Sequence, residues 1–386
     1  MNLVPEVVQM RDELVRWRHD FHRHAEICFN EKRTAAKVAE LLRSFGIDEI
    51  VEGVASTGVI GVLRNHDGPV IGLRADMDAL AIADEGQHDH RSQADGITHA
   101  CGHDGHIAML LGAAKCLSSS RNFKGTVVFV FQPAEEITRG AQGMLDHGLL
   151  EQYGVQSMYG MHNLPGLAVG SVSITPGTAM AGVDNFSITI NGRGGHAGAP
   201  HLTRDPIVAA GAMIMSLQAI ASRTVDPIDS VVVSIASLHS STDLHNVIPE
   251  TVRLKGTIRY LNSALRDSVE TTFKAIVDGT ASAHGMTAVI DYERECPPLV
   301  NDRASCELAT RVARALLGDK GVIQLPPIMG GEDFAYFLQR VPGAFAFIGN
   351  GEDSASLHHS AFDFNDESLP IGASYFVRLV EAALAP

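Results

Sequence analysis

Four short runs of the chain, 58–63, 70–74, 126–132 and 157–161, are apolar at nearly every position rather than at alternate ones. Strands of that kind need cover on both faces. Helices are at hand to supply it. The opening stretch, about 5–24, carries Val7, Val8, Met10, Leu14, Val15 and Trp17, and 31–45 carries Val38, Leu41, Leu42 and Phe45 at helical spacing, with Gly46 as its stop. A third helix, about 104–118, carries Ile107, Met109, Leu110, Leu111 and Leu117. Doubly buried strands interleaved with helices define an α/β layer fold.

The segment 185–293 follows another pattern. Phe186, Ile188 and Ile190 alternate with polar residues, a helix fits about 205–222, and strands fit 230–238 and 251–259. A helix over about 263–284 and a strand over 287–292 complete the order β-α-β-β-α-β, a ferredoxin-like arrangement. The rest, 294–386, returns to helices and short strands. The expected organisation is therefore an α/β domain, 1–180 and 294–386, interrupted by a smaller α+β domain, 181–293. A length of 386 residues accommodates two or three domains.

Composition narrows the function. Hydrophobic residues make up 45% and charged residues 19%, which excludes a disordered chain. The formal charge of −15 argues against nucleic acid or an anionic membrane as partner. No unbroken apolar run reaches the roughly 18 residues of a membrane span. Met1 to Glu26 is rich in Arg, His, Asp and Glu and lacks the apolar core of a secretory signal. The five cysteines, Cys28, Cys101, Cys116, Cys296 and Cys306, are odd in number and scattered, with no Cys-x-x-Cys pair. A reduced, cytoplasmic protein is expected.

Chemistry gathers where strands should end. His99-Ala-Cys101-Gly-His103-Asp-Gly-His106 sets thiol and imidazole two residues apart at a glycine-rich helix entry, where the helix N-terminus favours a thiolate. Thiolate plus imidazole suits zinc or a similar transition metal. Glu135 and Glu136 follow the strand 126–131. Adjacent carboxylates there need a cation, and they can divide labour, one binding metal and one moving protons. His162, after another apolar run, and the pair His358-His359 complete a two-metal ligand set drawn from four loops. Asp76 and Asp78, after the strand 70–74, can orient a ligating His or cap a helix. His19, His22 and His24 on the first helix read as a solvated or packed face. Gly192-Arg-Gly-Gly-His-Ala197 is not read as a dinucleotide loop, because Pro200 follows too soon for a helix.

Taken together these strings resemble a family of co-catalytic metal amidohydrolases, which includes hippurate hydrolases, aminoacylases and auxin-conjugate hydrolases and is related to the zinc carboxypeptidases. The resemblance begins at Arg18-His19-Asp20-Phe21-His22 and runs through Arg74-Ala-Asp76-Met-Asp78, the Cys-Gly-His-Asp-Gly-His string, Gln132-Pro-Ala-Glu135-Glu136 and Met161-His162-Asn163. It continues with Gly194-Gly195-His196-Ala197, Asn246-Val-Ile-Pro249, Gly330-Gly-Glu-Asp-Phe334 and Leu357-His358-His359. By position it implies metal ligands at Cys101, His103, Glu136, His162 and His358, with Glu135 as general base. It implies that His196, in the inserted dimerisation or lid domain, reaches the active site of a partner subunit, and that Asn246 shapes the substrate site. The stretch 84–97, Asp-Glu-Gly-Gln-His-Asp-His-Arg-Ser-Gln-Ala-Asp-Gly-Ile, departs from the family's Glu-x-x-Gly-Leu-Pro-Tyr type of loop.

The expected activity is hydrolysis of the amide bond of an N-acyl amino acid by a homodimer or higher homo-oligomer. Two divalent ions per subunit, Zn, Mn, Co or Ni, would lie roughly 3.5–4 Å apart, with Cys101 as a bridge. A dipeptidase or carboxypeptidase on the same site, a cysteine hydrolase using Cys101 with His103, and a non-enzymatic metal binder are the alternatives.

Overall fold

The doubly apolar runs form the middle of a twisted sheet. In the computed structural model, which describes residues 1–385, the strands are β1 (Glu49–Val54), β2 (Gly58–Asn65), β3 (Val70–Asp76), β4 (Gly125–Gln132) and β5 (Ser157–Pro165). Their spatial order is β1-β2-β4-β3-β5, continued by Gly343–Gly351, Val172–Ser173 and Val322–Ile323. β4, β3, β5 and Gly343–Gly351 run parallel to one another, while β1 and β2 are antiparallel additions at one edge. Register places Asp76 beside Gln132 and Arg74 beside Gly160, so the carboxyl ends of β3, β4 and β5 lie together. That edge is where open α/β sheets hold their sites.

The opening helix is two, not one. Pro5–Gln9 is separated at Met10 from α1 (Arg11–Arg23). α2 (His103–Ser120) is apolar all round because it is enclosed: Ile107, Met109, Leu110 and Leu111 are wholly buried on successive faces.

Contacts divide the chain into two units: Met1–Gly177 with Val300–Pro326 and Asp333 onward, and Thr178–Leu299 with Pro327–Glu332. The return of 327–332 to the smaller unit has no counterpart in the sequence reading. In that unit β6 (Gly182–Asn191), β7 (Val231–Ser240), β8 (Thr251–Tyr260) and β9 (Thr287–Cys296) form an antiparallel sheet of order β7-β8-β6-β9. With helices Pro206–Leu217 and Arg266–Ala283 in the crossovers, this is the ferredoxin-like order. The stretch Pro206–Thr224 does have the length and composition to cross a membrane, although no unbroken apolar run signals it. One side of it is core: Ala209, Ala210, Met213 and Leu217 are buried with Phe186, Ile188 and Phe273.

Candidate metal centre

Each candidate ligand leaves the body of the larger unit at the same sheet edge. Gly102, at φ +89°, turns the chain into α2 and sets Cys101 before the helix and His103 in its first turn. A Cβ on Gly102 would lie 2.4 Å from Asn163 Oδ1. Gly102→Ala is therefore expected to cost about 1–3 kcal/mol, from the left-handed backbone and the displaced Asn163. A urea midpoint equal to that of the wild type would refute this reading of the turn.

Beyond β4, Ala134 adopts φ +53°, an uncommon conformation for a residue with a side chain. Its N–H donates to the buried Glu31 Oε1 at 2.9 Å, and Glu31 Oε2 accepts from Thr57 Oγ1 at 2.6 Å. Glu136 N–H donates to Asp78 Oδ2 at 2.9 Å. The turn that presents Glu135 and Glu136 is thus gripped from two sides. His358, also at positive φ (+63°), is anchored by its N–H on Ala100 O at 2.8 Å.

These turns bring the ligand atoms together. One ligand atom from each of Cys101, His103 and His162 lies within 4.8 Å of the other two. The same holds for Cys101, Glu136 and His358, and for His103, Glu135 and Glu136. Cys101 Sγ is 3.3 Å from His162 Nε2, His103 Nε2 is 3.8 Å from Glu136 Oε1, and His358 Nε2 is 3.4 Å from Glu136 Oε2. His359 is not brought there; its Nδ1 accepts the Ala361 N–H at 3.1 Å.

Hydrogen bonds behind the ligands aim them. His103 Nδ1 donates to Asp78 O at 2.8 Å, and His162 Nδ1 donates to Asn163 O at 2.7 Å, which leaves both Nε2 atoms turned to the site. Asp76, paired with Arg74 at 2.6 Å, holds His106 Nδ1 at 2.6 Å.

The residues fit a metal. His103 Nε2 and Glu136 Oε1 are shut from water and make no hydrogen bond, a costly arrangement unless a cation satisfies both. Burial opposes charge on His103, but Asp76, Asp78 and Glu136 outweigh it and hold its pKa up at about 10. Burial, then Glu136, Glu135 and Asp76, push the Cys101 thiol well above the usual range. Burial and these carboxylates oppose the thiolate that the helix entry favours, and a bound cation would favour deprotonation of Cys101.

His196 and Asn246 belong to the smaller unit, where the short strands Gly195–His196 and Val247–Ile248 pair antiparallel. Ala197 N–H donates to Asn246 O at 3.0 Å, so the two residues share one exposed corner. His196 Nδ1 accepts the Gly198 N–H at 2.9 Å, which places the ring proton on Nε2.

A sheet edge carrying thiol, imidazole and paired carboxylates around unsatisfied buried donor atoms defines a metal-dependent hydrolase site. The model of peptidase family M20/M25/M40 matches residues 72–382. The chain belongs to that family and is a metal-dependent amidohydrolase. It is 39% identical over 381 residues to the hippurate hydrolase of Campylobacter jejuni subsp. jejuni, covering 98% of each chain. It is 38% identical over 374 residues to the N-acetylcysteine deacetylase of Bacillus subtilis, covering 96% of this chain and 97% of the relative. Among solved structures, a dinuclear metal-binding peptidase of the same family from Bacillus subtilis superposes with a TM-score of 0.84 at 36% identity, over 97% of this chain and 99% of that one.

Proposed function

We propose that this amidohydrolase cleaves the amide bond of N-acyl amino acids, releasing a carboxylic acid and a free amino acid. The observation that carries the reading is the pair of adjacent carboxylates at the end of β4, with Glu136 facing His103 and His358 and Glu135 beside them. The two relatives named for N-acyl amino acid substrates support it over nearly the whole chain.

Cys101, His103, Glu136, His162 and His358 hold two divalent ions, and zinc, manganese, cobalt and nickel all suit this mixture of sulfur, nitrogen and oxygen. When bound, the ions supply Lewis acidity toward water and the acyl carbonyl. Glu135 takes the proton of the attacking water and delivers it to the leaving nitrogen. His196 donates from Nε2 to the acyl oxygen as negative charge develops there, and Asn246 beside it orients the substrate.

The protein works as a cytoplasmic homodimer in which the smaller domain, about 181–293, pairs with its copy. The reading is supported by β7, an edge strand of its sheet with Val232 and Leu238 exposed, and by Ile207, Val208 and Met215 exposed on the neighbouring helix. Edge strand and apolar helix face are self-complementary elements of a two-fold contact. None of the five cysteines forms a disulfide, as suits a reduced compartment.

A substrate panel tests the assignment. Metal-reconstituted protein is expected to turn over N-benzoyl and N-acetyl amino acids and to leave unblocked dipeptides largely intact. The opposite ranking would make it a dipeptidase with the same site.

A further inference from the structure

A second group of imidazoles lies outside the ligand set above. Of the solvated or packed helix face expected for His22, α1 gives the packed one: the side chain is fully buried. His22 Nδ1 lies 2.8 Å from Asp104 Oδ2, and its Nε2 lies 3.3 Å from Asp84 Oδ2. With the ring proton on Nδ1 toward Asp104, the Nε2 lone pair faces a carboxylate oxygen. Thr98 Oγ1, 3.4 Å from Nε2, can donate to it, and a cation near both acceptors, proton or metal, lowers their mutual repulsion.

The neighbours favour a metal. His88, from the histidine-containing loop 84–97, has both ring nitrogens shut from water and without a hydrogen bond. Its ring stacks on His90 at 3.9 Å and meets His22 edge-on at 5.1 Å. Asp363 arrives from the loop after Gly343–Gly351. One ligand atom from each of His22, His88 and Asp363 lies within 4.8 Å of the other two. Nitrogen and oxygen ligands at about 2.0–2.1 Å from a tetrahedral ion are about 3.3 Å apart, so a modest turn of the unbonded His88 ring closes the triad. The bond from His22 Nδ1 to Asp104 is the carboxylate–histidine pairing that orients metal-binding imidazoles.

Charge also permits it. Asp84, Asp104, Asp363 and Asp366 surround the group, and Arg18 pairs with Asp104 at 3.4 Å, Asp363 at 2.5 Å and Asp366 at 2.9 Å. Those four carboxylates meet one guanidinium and two further imidazoles, His90 on Asp363 at 3.0 Å and His19 on Asp366 at 2.9 Å. The Asp363 side chain is 33% exposed, so the group is reachable from solvent.

We propose that His22, His88 and Asp363 form an additional site for a borderline divalent ion such as zinc, separate from the hydrolytic centre. The ion ties α1, the 84–97 loop and the C-terminal loop into one unit behind His103, whose chain neighbour Asp104 carries the His22 bond.

Metal content after chelator stripping, refilling with zinc and desalting tests the site. The His88→Ala protein is expected to hold one ion per chain fewer than the wild type. The readout is a difference, so it stands whether or not the hydrolytic centre holds two ions. His88→Phe keeps the ring stack on His90 but cannot ligate, and it should lose the same ion if His88→Ala does not fold. In cobalt-loaded protein, the His88 variants should lose d–d absorption while the thiolate charge-transfer band of Cys101 stays. Equal zinc content in wild type, His88→Ala and His88→Phe would overturn the proposal and leave a protonated His22 as the cation.

Discussion

Glu135→Gln is expected to lower kcat by about 10²–10⁴-fold, the range for loss of a general base, while zinc content stays at the wild-type value. Gln keeps the size and the polar end of the side chain but cannot accept a proton. Glu136→Gln is expected to fail differently. Glu136 Oε1 faces His103 Nε2 and Oε2 faces His358 Nε2, at 3.8 and 3.4 Å, so in the proposed assignment its charge serves the cation rather than the proton. Metal content should fall, and excess zinc should restore part of the activity, which it cannot do for Glu135→Gln. The two residues share one backbone turn, held by Glu31 at Ala134 and by Asp78 at Glu136, so either amide leaves the support in place. Metal analysis beside kcat on both variants decides the matter. If Glu135→Gln loses metal and Glu136→Gln keeps it, the roles are exchanged.

What could be read from the sequence and what could not divides along one physical line. Elements whose identity rests on local pattern are legible. β2 to β5 are apolar on both faces, and each begins or ends within four residues of the position the apolar run predicts. β1, Glu49–Val54, carries Glu at positions 49 and 52 and is half-exposed at the sheet edge, so no apolar run signals it. Cys101, His103 and Glu136 stand out because they open a buried helix or follow a strand closely, and His162 because it is a polar residue in an otherwise apolar strand; His358, in a loop after Gly343–Gly351, is marked only by its paired neighbour His359. Glu31 is not conspicuous. It is a Glu before a helix, and its importance comes from Ala134, 103 positions away along the chain. His22 and His88 are missed for the same reason, since only the fold brings α1, the 84–97 loop and Asp363 together. The upward push on the Cys101 thiol is likewise a property of the assembled site, since burial and carboxylates from other loops oppose the helix terminus that the sequence shows.

Mixing two inactive proteins is expected to restore activity. His196 lies in the smaller unit and Glu135 in the larger, and the proposed dimer has His196 serve the partner's site. His196→Ala removes the Nε2 donor that the Gly198 N–H bond sets in place. Loss of such a donor to a developing oxyanion costs about 10²–10³-fold in kcat. Glu135→Gln disables the base. Each homodimer carries its own defect at both sites and is nearly inactive. In a mixed dimer acting in trans, one site combines the intact base of the His196→Ala chain with the intact His196 of the Glu135→Gln chain, and the other site carries both defects. With random assortment half of the dimers are mixed and each has one working site of two. Co-refolding should therefore return up to about a quarter of wild-type activity. If His196 served its own chain, each mixed dimer would hold one singly impaired site of each kind and the mixture would stay near background. Heterodimers are verified with two affinity tags before the assay, and their failure to gain activity would rule out a role for His196 across the interface.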